Sequence, residues 1–143
     1  MQTFLPFESF SESARCLDRQ RLGKQRVETL QILKALDNPL YGWQSHPSVL
    51  MWKGFSQSLV LYGLDVCKEW ISRGYSDSCL VKISLFRDEN LPLQTPWWLG
   101  REEFHSSHRA SLLAKNSSHY GQFGWSESPK LGYWWPSEHL KEV

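Results

Sequence analysis

Arg15, Arg19, Arg21, Lys24 and Arg26 crowd between positions 15 and 26, and only Asp18 offsets them there. On an α-helix Leu17, Arg21, Lys24 and Glu28 are spaced four, three and four residues apart and share one stripe. A basic stripe on a chain whose net charge is only +1 points to a polyanionic partner, because local charge and not overall pI marks such a site. A solvated helix face would show the same pattern. Glu28 therefore has two readings. It is an ion-pair partner of Lys24, worth roughly 0.3–0.5 kcal/mol, or it stabilises positive charge that develops during a reaction. An oxocarbenium-like sugar in glycosidic cleavage and a protonated Schiff base are two such centres.

Aromatic residues make up 14% of the chain, including eight Trp. Trp97, Trp98, Tyr120, Phe123, Trp125, Tyr133, Trp134 and Trp135 lie in the last third among Gly, Pro and Ser. Rings in such segments either cover a core or stack on a base. The acid of the chain is shifted the same way, to Glu102, Glu103, Glu127, Glu138 and Glu142.

Other chemistries lack their residues. No phosphate-cradling loop, dinucleotide-binding glycine fingerprint, zincin HExxH or GxSxG elbow is present. His105 and His108 are three apart and could share a metal, but His46, His119 and His139 supply no third and fourth ligand at suitable spacing, so no metal is expected. Cys16, Cys67 and Cys79 are odd in number without CxxC spacing, which fits a reduced compartment, and Cys67 falls on an apolar helix side. Apolar runs do not exceed four residues, against the roughly 18 of a membrane span. No secretory signal opens the chain, so a cytoplasmic location is expected.

The elements that must position these residues read as helices joined by ordered loops. With 143 residues and 41% hydrophobic content, one domain over residues 1–143 is expected. Ser9 with Glu12 is a capping box that opens a helical stretch to Asp37, which Asn38-Pro39 ends. Gly23 within it marks a kink or a close packing contact. His46-Pro47 starts a second region through Val49–Trp52 and Gln57–Arg73, with Gly74 at its C-terminal cap. Val81–Phe86 suits a short strand or a helix. Thr95-Pro96 leads to a third helix over Leu99–Lys115, and extended coil is expected from Ser117. The expected fold is all-α: a compact three-helix domain with an aromatic-rich C-terminal coil.

The segment from Leu17 to Glu28 resembles the first-helix signature of the pyrimidine-dimer DNA glycosylases of the endonuclease V type. His46-Pro47, Lys68 to Tyr75, His108 to Leu113 and the aromatic tail around Tyr120-Gly121 and Gly132 to Pro136 match in the same order. The opening Met1 to Pro6 together with Leu17 to Glu28 resembles a bacterial and phage branch of that family. The resemblance implies a glycosylase acting on damaged or modified pyrimidines in duplex DNA, with the N-terminus threaded toward the DNA-binding face. It implies that the α-amine attacks C1′ to give a Schiff base and AP-lyase cleavage, without metal or cofactor. Met1 and Glu28 are then the catalytic residues, and Gln20 and Arg21 contact DNA near the lesion. Arg19, Lys24, Arg26, His46, His108 and Arg109 are further expected DNA-binding residues. The partner is a duplex kinked at the lesion, bound by a monomer; a non-catalytic module for damaged DNA or RNA is the alternative. Gln2 stands where the family usually has Thr, so Met1 is expected to be retained, and Val27 stands where it has Arg.

Overall fold

The computed structural model describes residues 1–136. The helices are α1 Phe10–Cys16, α2 Arg19–Asp37, α3 Pro47–Leu50, α4 Ser56–Ser72, α5 Cys79–Ser84, α6 Glu102–Lys115 and α7 Ser117–Tyr120, with a 3-10 turn over Gly121–Phe123. The protein is all-α. Helices α2, α4 and α6 are the three long elements the sequence announces, and short helices join them. Glu138, His139 and Glu142 lie outside the described residues. No described helix is long and apolar enough to cross a membrane.

The expected continuous helix from Ser9 to Asp37 is two helices. Ser9 caps α1 by accepting the Glu12 N–H, but Leu17 and Asp18 are extended. Leu17 is fully buried, and the Asp18 N–H donates to the Tyr120 hydroxyl (3.0 Å) in place of a helical carbonyl. A contact 102 residues away thus sets the break, and α2 starts afresh from Asp18. Arg21, Lys24 and Glu28 keep their common face on α2; Leu17 leaves it.

Two further stretches are corrected. The segment left between strand and helix is helical as α5, whose Leu80 N–H donates to Asp77 (2.7 Å). Beyond Lys115 the chain does not become extended at once: the Asn116 side chain accepts the His119 N–H (3.1 Å) and caps α7.

The core is aromatic at its centre, with Trp52, Trp98, Tyr62, Tyr120 and Phe104 fully buried. Each such ring contributes on the order of 2–3 kcal/mol by burial, provided its polar atom is satisfied. Trp98 donates to Met51 O (3.1 Å) and Trp52 to Thr3 Oγ1 (3.0 Å). Gly63 on α4 lets this helix close on α2 and α5, since a Cβ there would meet Thr29 Cγ2 at 2.8 Å and Ile83 Cγ2 at 3.0 Å. Gly23 is a close contact, not a kink: its missing Cβ leaves room for the Trp70 ring, 3.1 Å away. Trp97, Trp125, Tyr133, Trp134 and Trp135 pack partly buried against the core, so most tail rings serve as cover.

Residues 2–6 run extended through the middle of this core, where their backbone groups have no helix or sheet to join. Buried backbone polar groups must still be paired, and side chains do it. Phe4 N–H donates to Gln25 Oε1 (2.9 Å), while Gln25 Nε2 donates back to Gln2 O (2.7 Å). Tyr62 donates to Phe4 O (2.9 Å), and Arg109 donates to Pro6 O (2.8 Å). Leu5 is clamped by two histidines: its N–H donates to His108 Nδ1 (3.0 Å), and its carbonyl accepts from His105 Nδ1 (2.7 Å). Because Gly100 N–H donates to His105 Nε2 (2.9 Å), the His105 proton sits on Nδ1. This lacing carries the N-terminus to the middle of α2.

Candidate active site

The segment ends on Glu28. The Gln2 N–H donates to Glu28 Oε2 at 2.9 Å, and the Met1 amino group is one residue further along the chain, within about 4 Å of that N–H. Around them opens a cavity of about 390 Å³. Its cationic wall is Arg21 and Lys24 from α2 and Lys115 from the last turn of α6. His46, Tyr133 and Trp135 supply aromatic lining, and Gln20 also lines it. The sequence stripe and the chain terminus therefore meet in one place.

Helix geometry explains which stripe residues arrive. Arg21, Lys24 and Glu28 share a face of α2, and Arg21 is steadied by Asp18 (3.2 Å) at its N-cap. Gln20, Lys24 and Glu28 also line an adjoining groove of about 850 Å³, which passes Arg19, Gly23 and Val27 on the far side of α2. Arg19 is exposed beside it, its guanidinium 5.2 Å from the Tyr75 ring centroid.

His46 sits at the N-cap of α3, where proline fixes the first turn. Its Nδ1 accepts the Ser48 N–H (3.1 Å), which places the proton of the neutral ring on Nε2. Burial, then the positive Met1 amine, lowers its pKa, partly opposed by Glu28. The ring is neutral at pH 7.

Four expected DNA contacts are not brought to the cavity: Arg19 lines the adjoining groove, and the other three are held within the fold. Arg26 lies two residues before Glu28, far around the helix, and pairs with Asp77 (2.5 Å) while covering the Trp70 ring (4.3 Å). His108 is buried beneath the N-terminal segment, and burial lowers its pKa to about 3, so it carries no charge for a phosphate. Arg109 is held by Glu127 (3.0 Å), Glu102 and the Pro6 carbonyl. Glu127 stays ionised, its pKa lowered by hydrogen bonds from Arg109 and Ser106 that outweigh its burial. The helix-three motif thus serves the fold. Lys115 was missed because a basic residue in a last helical turn also reads as a partner of the helix dipole. Among the described residues no group of three or more His, Cys, Asp or Glu is placed to hold a metal.

The family model for pyrimidine dimer DNA glycosylases matches residues 1–83. The chain belongs to that family. The matched span carries Met1, Gln20, Arg21, Lys24, Glu28 and His46 of the cavity, while Lys115, Tyr133 and Trp135 close it from beyond the match. Membership in this DNA glycosylase family implies a DNA substrate. No curated protein and no solved structure is significantly similar to the chain.

Proposed function

We propose that the protein excises damaged or modified pyrimidines from duplex DNA, using the Met1 α-amine as nucleophile and Glu28 as its carboxylate partner, with AP-lyase cleavage to follow. The hydrogen bond from Gln2 N–H to Glu28 is the observation that supports this reading, because the residue next to the chain terminus is tied to the acid and both line a cavity with cationic side chains.

The neutral amine attacks C1′ of the target nucleotide. The bond from C1′ to the base nitrogen breaks, and the base leaves with the electron pair and takes up a proton. Opening of the sugar ring yields a protonated Schiff base, whose positive charge the Glu28 carboxylate offsets. Loss of a C2′ proton then expels the 3′ phosphate by β-elimination, and water releases the amine. Arg21, Lys24 and Lys115 hold the flanking phosphates of a duplex kinked at the lesion, and the protein acts as a monomer. Extruding a nucleotide is cheapest where pairing is already damaged, which contributes to selectivity.

Glu28→Gln tests the acid directly. The amide keeps an oxygen to accept the Gln2 N–H but loses the charge. Turnover on a dimer-containing duplex is expected to vanish while affinity stays equal or rises, since an anion near phosphates is removed. Unchanged turnover would contradict the catalytic role of Glu28.

A further inference from the structure

Trp43 is the one residue other than glycine among those described that has a left-handed backbone, with φ +71°. Aromatic residues rarely adopt this conformation, and it persists only where the surroundings over-determine it. Here they do. The Trp43 carbonyl accepts the His46 N–H (3.0 Å), and the Gln44 side-chain amide reaches the carbonyls of Ala35, Asn38 and Tyr41 at 2.9–3.0 Å. A rigid loop therefore holds a strained residue. Burial does not repay the strain, because the side chain is among the exposed large hydrophobics at 53%.

Trp43 adjoins the cavity through His46, which lines it. The Trp43 ring meets the His46 ring edge-on at 5.7 Å, His46 meets Trp135 at 6.4 Å, and Trp135 meets Tyr133 at 5.3 Å. The result is a row of rings that runs from the cavity lining out to Trp43, its exposed end.

We propose that Trp43 is a stacking wedge: its indole enters the duplex beside the lesion and occupies the place of a nucleotide displaced from the stack. This rests on the cavity being the DNA site. Side chains that wedge between base steps offset the unstacking they cause by their own contact with the bases. A pre-strained loop fixes the ring in the entering position before DNA arrives, so little ordering is left to do on binding.

The test uses a dimer-containing duplex with 2-aminopurine opposite the lesion. Binding of the wild-type protein is expected to raise the emission several-fold as that base unstacks. Trp43→Gly relieves the backbone, so its Tm is expected to be equal or higher, with an unchanged salt dependence of binding. Its emission rise is expected to be lost, and its turnover on the paired duplex to fall roughly ten-fold. Trp43→Phe is expected to recover most of both. Wild-type emission in Trp43→Gly, no rise with the wild-type protein, or no recovery in Trp43→Phe would overturn the wedge. So would a lower Tm with a flattened salt slope, which is what a purely structural ring would give. Unchanged turnover in Glu28→Gln would instead overturn the catalytic reading and leave the emission result to decide the wedge.

Discussion

Glu28 gains its place at the cavity from a backbone amide, not from a charged neighbour: the Gln2 N–H satisfies one carboxylate oxygen at 2.9 Å. The cations that line the same cavity are expected to have a separable task. Replacing Arg21, Lys24 or Lys115 by Ala is expected to weaken binding to all duplexes similarly and to flatten the slope of log affinity against log salt by about one unit per lost phosphate contact. Arg26→Ala is expected to leave that slope unchanged, because Asp77 already neutralises the guanidinium inside the fold. Salt titrations of the four variants separate these outcomes. The common face of Arg21, Lys24 and Glu28 was legible from helical spacing alone. The surroundings of Arg26, His108 and Arg109 were not, because residue type gives the charge of a side chain but not what it faces. Pro6 and Leu5, to which Arg109 and His108 are bonded, lie more than 100 residues earlier.

Helices α2, α4 and α6 followed from apolar periodicity, caps and prolines, which act within a few residues. The α1–α2 break did not, since it depends on Tyr120. That hydroxyl accepts the Asp18 N–H and donates to the Asp18 carboxylate, so the tail of the chain secures the start of the helix that bears Arg21, Lys24 and Glu28. Tyr120→Phe leaves the largely buried Asp18 short of both partners. It is expected to destabilise the fold by about 1–3 kcal/mol in urea unfolding and to weaken DNA binding through Arg21. Gly63→Ala is a second test at this scale. Alanine would add up to about 1 kcal/mol of helix propensity, but overpacking against Thr29 and Ile83 costs about 1–3 kcal/mol, so net destabilisation is expected. A stabilised Gly63→Ala would show that α4 does not pack on α2 and α5 through this position.

The whole molecule is organised around a buried extended N-terminal segment, and this links stability to pH. His108 is neutral in the fold with a pKa lowered to about 3 by burial, then by His105, against about 6.5 when unfolded. A depressed histidine contributes stability that is complete above the unfolded value and is lost as pH falls below it. Between pH 7 and pH 5 this residue alone is expected to cost about 2 kcal/mol, and the lowered pKa of His105 acts in the same direction. His108→Asn, whose Oδ1 can accept the Leu5 N–H, is expected to reduce the difference between urea midpoints at the two pH values. An unchanged difference would contradict the clamp.

The central claim concerns the terminus that this clamp delivers, and borohydride trapping tests it most directly. The protein is reacted with duplexes carrying a cyclobutane dimer, an abasic site or no lesion, and any cross-link is mapped by mass. An adduct on the Met1 amine, formed with the dimer and abasic duplexes and absent from the intact one, is the expected result. An adduct on a lysine, or none on any duplex, would contradict the Met1 nucleophile.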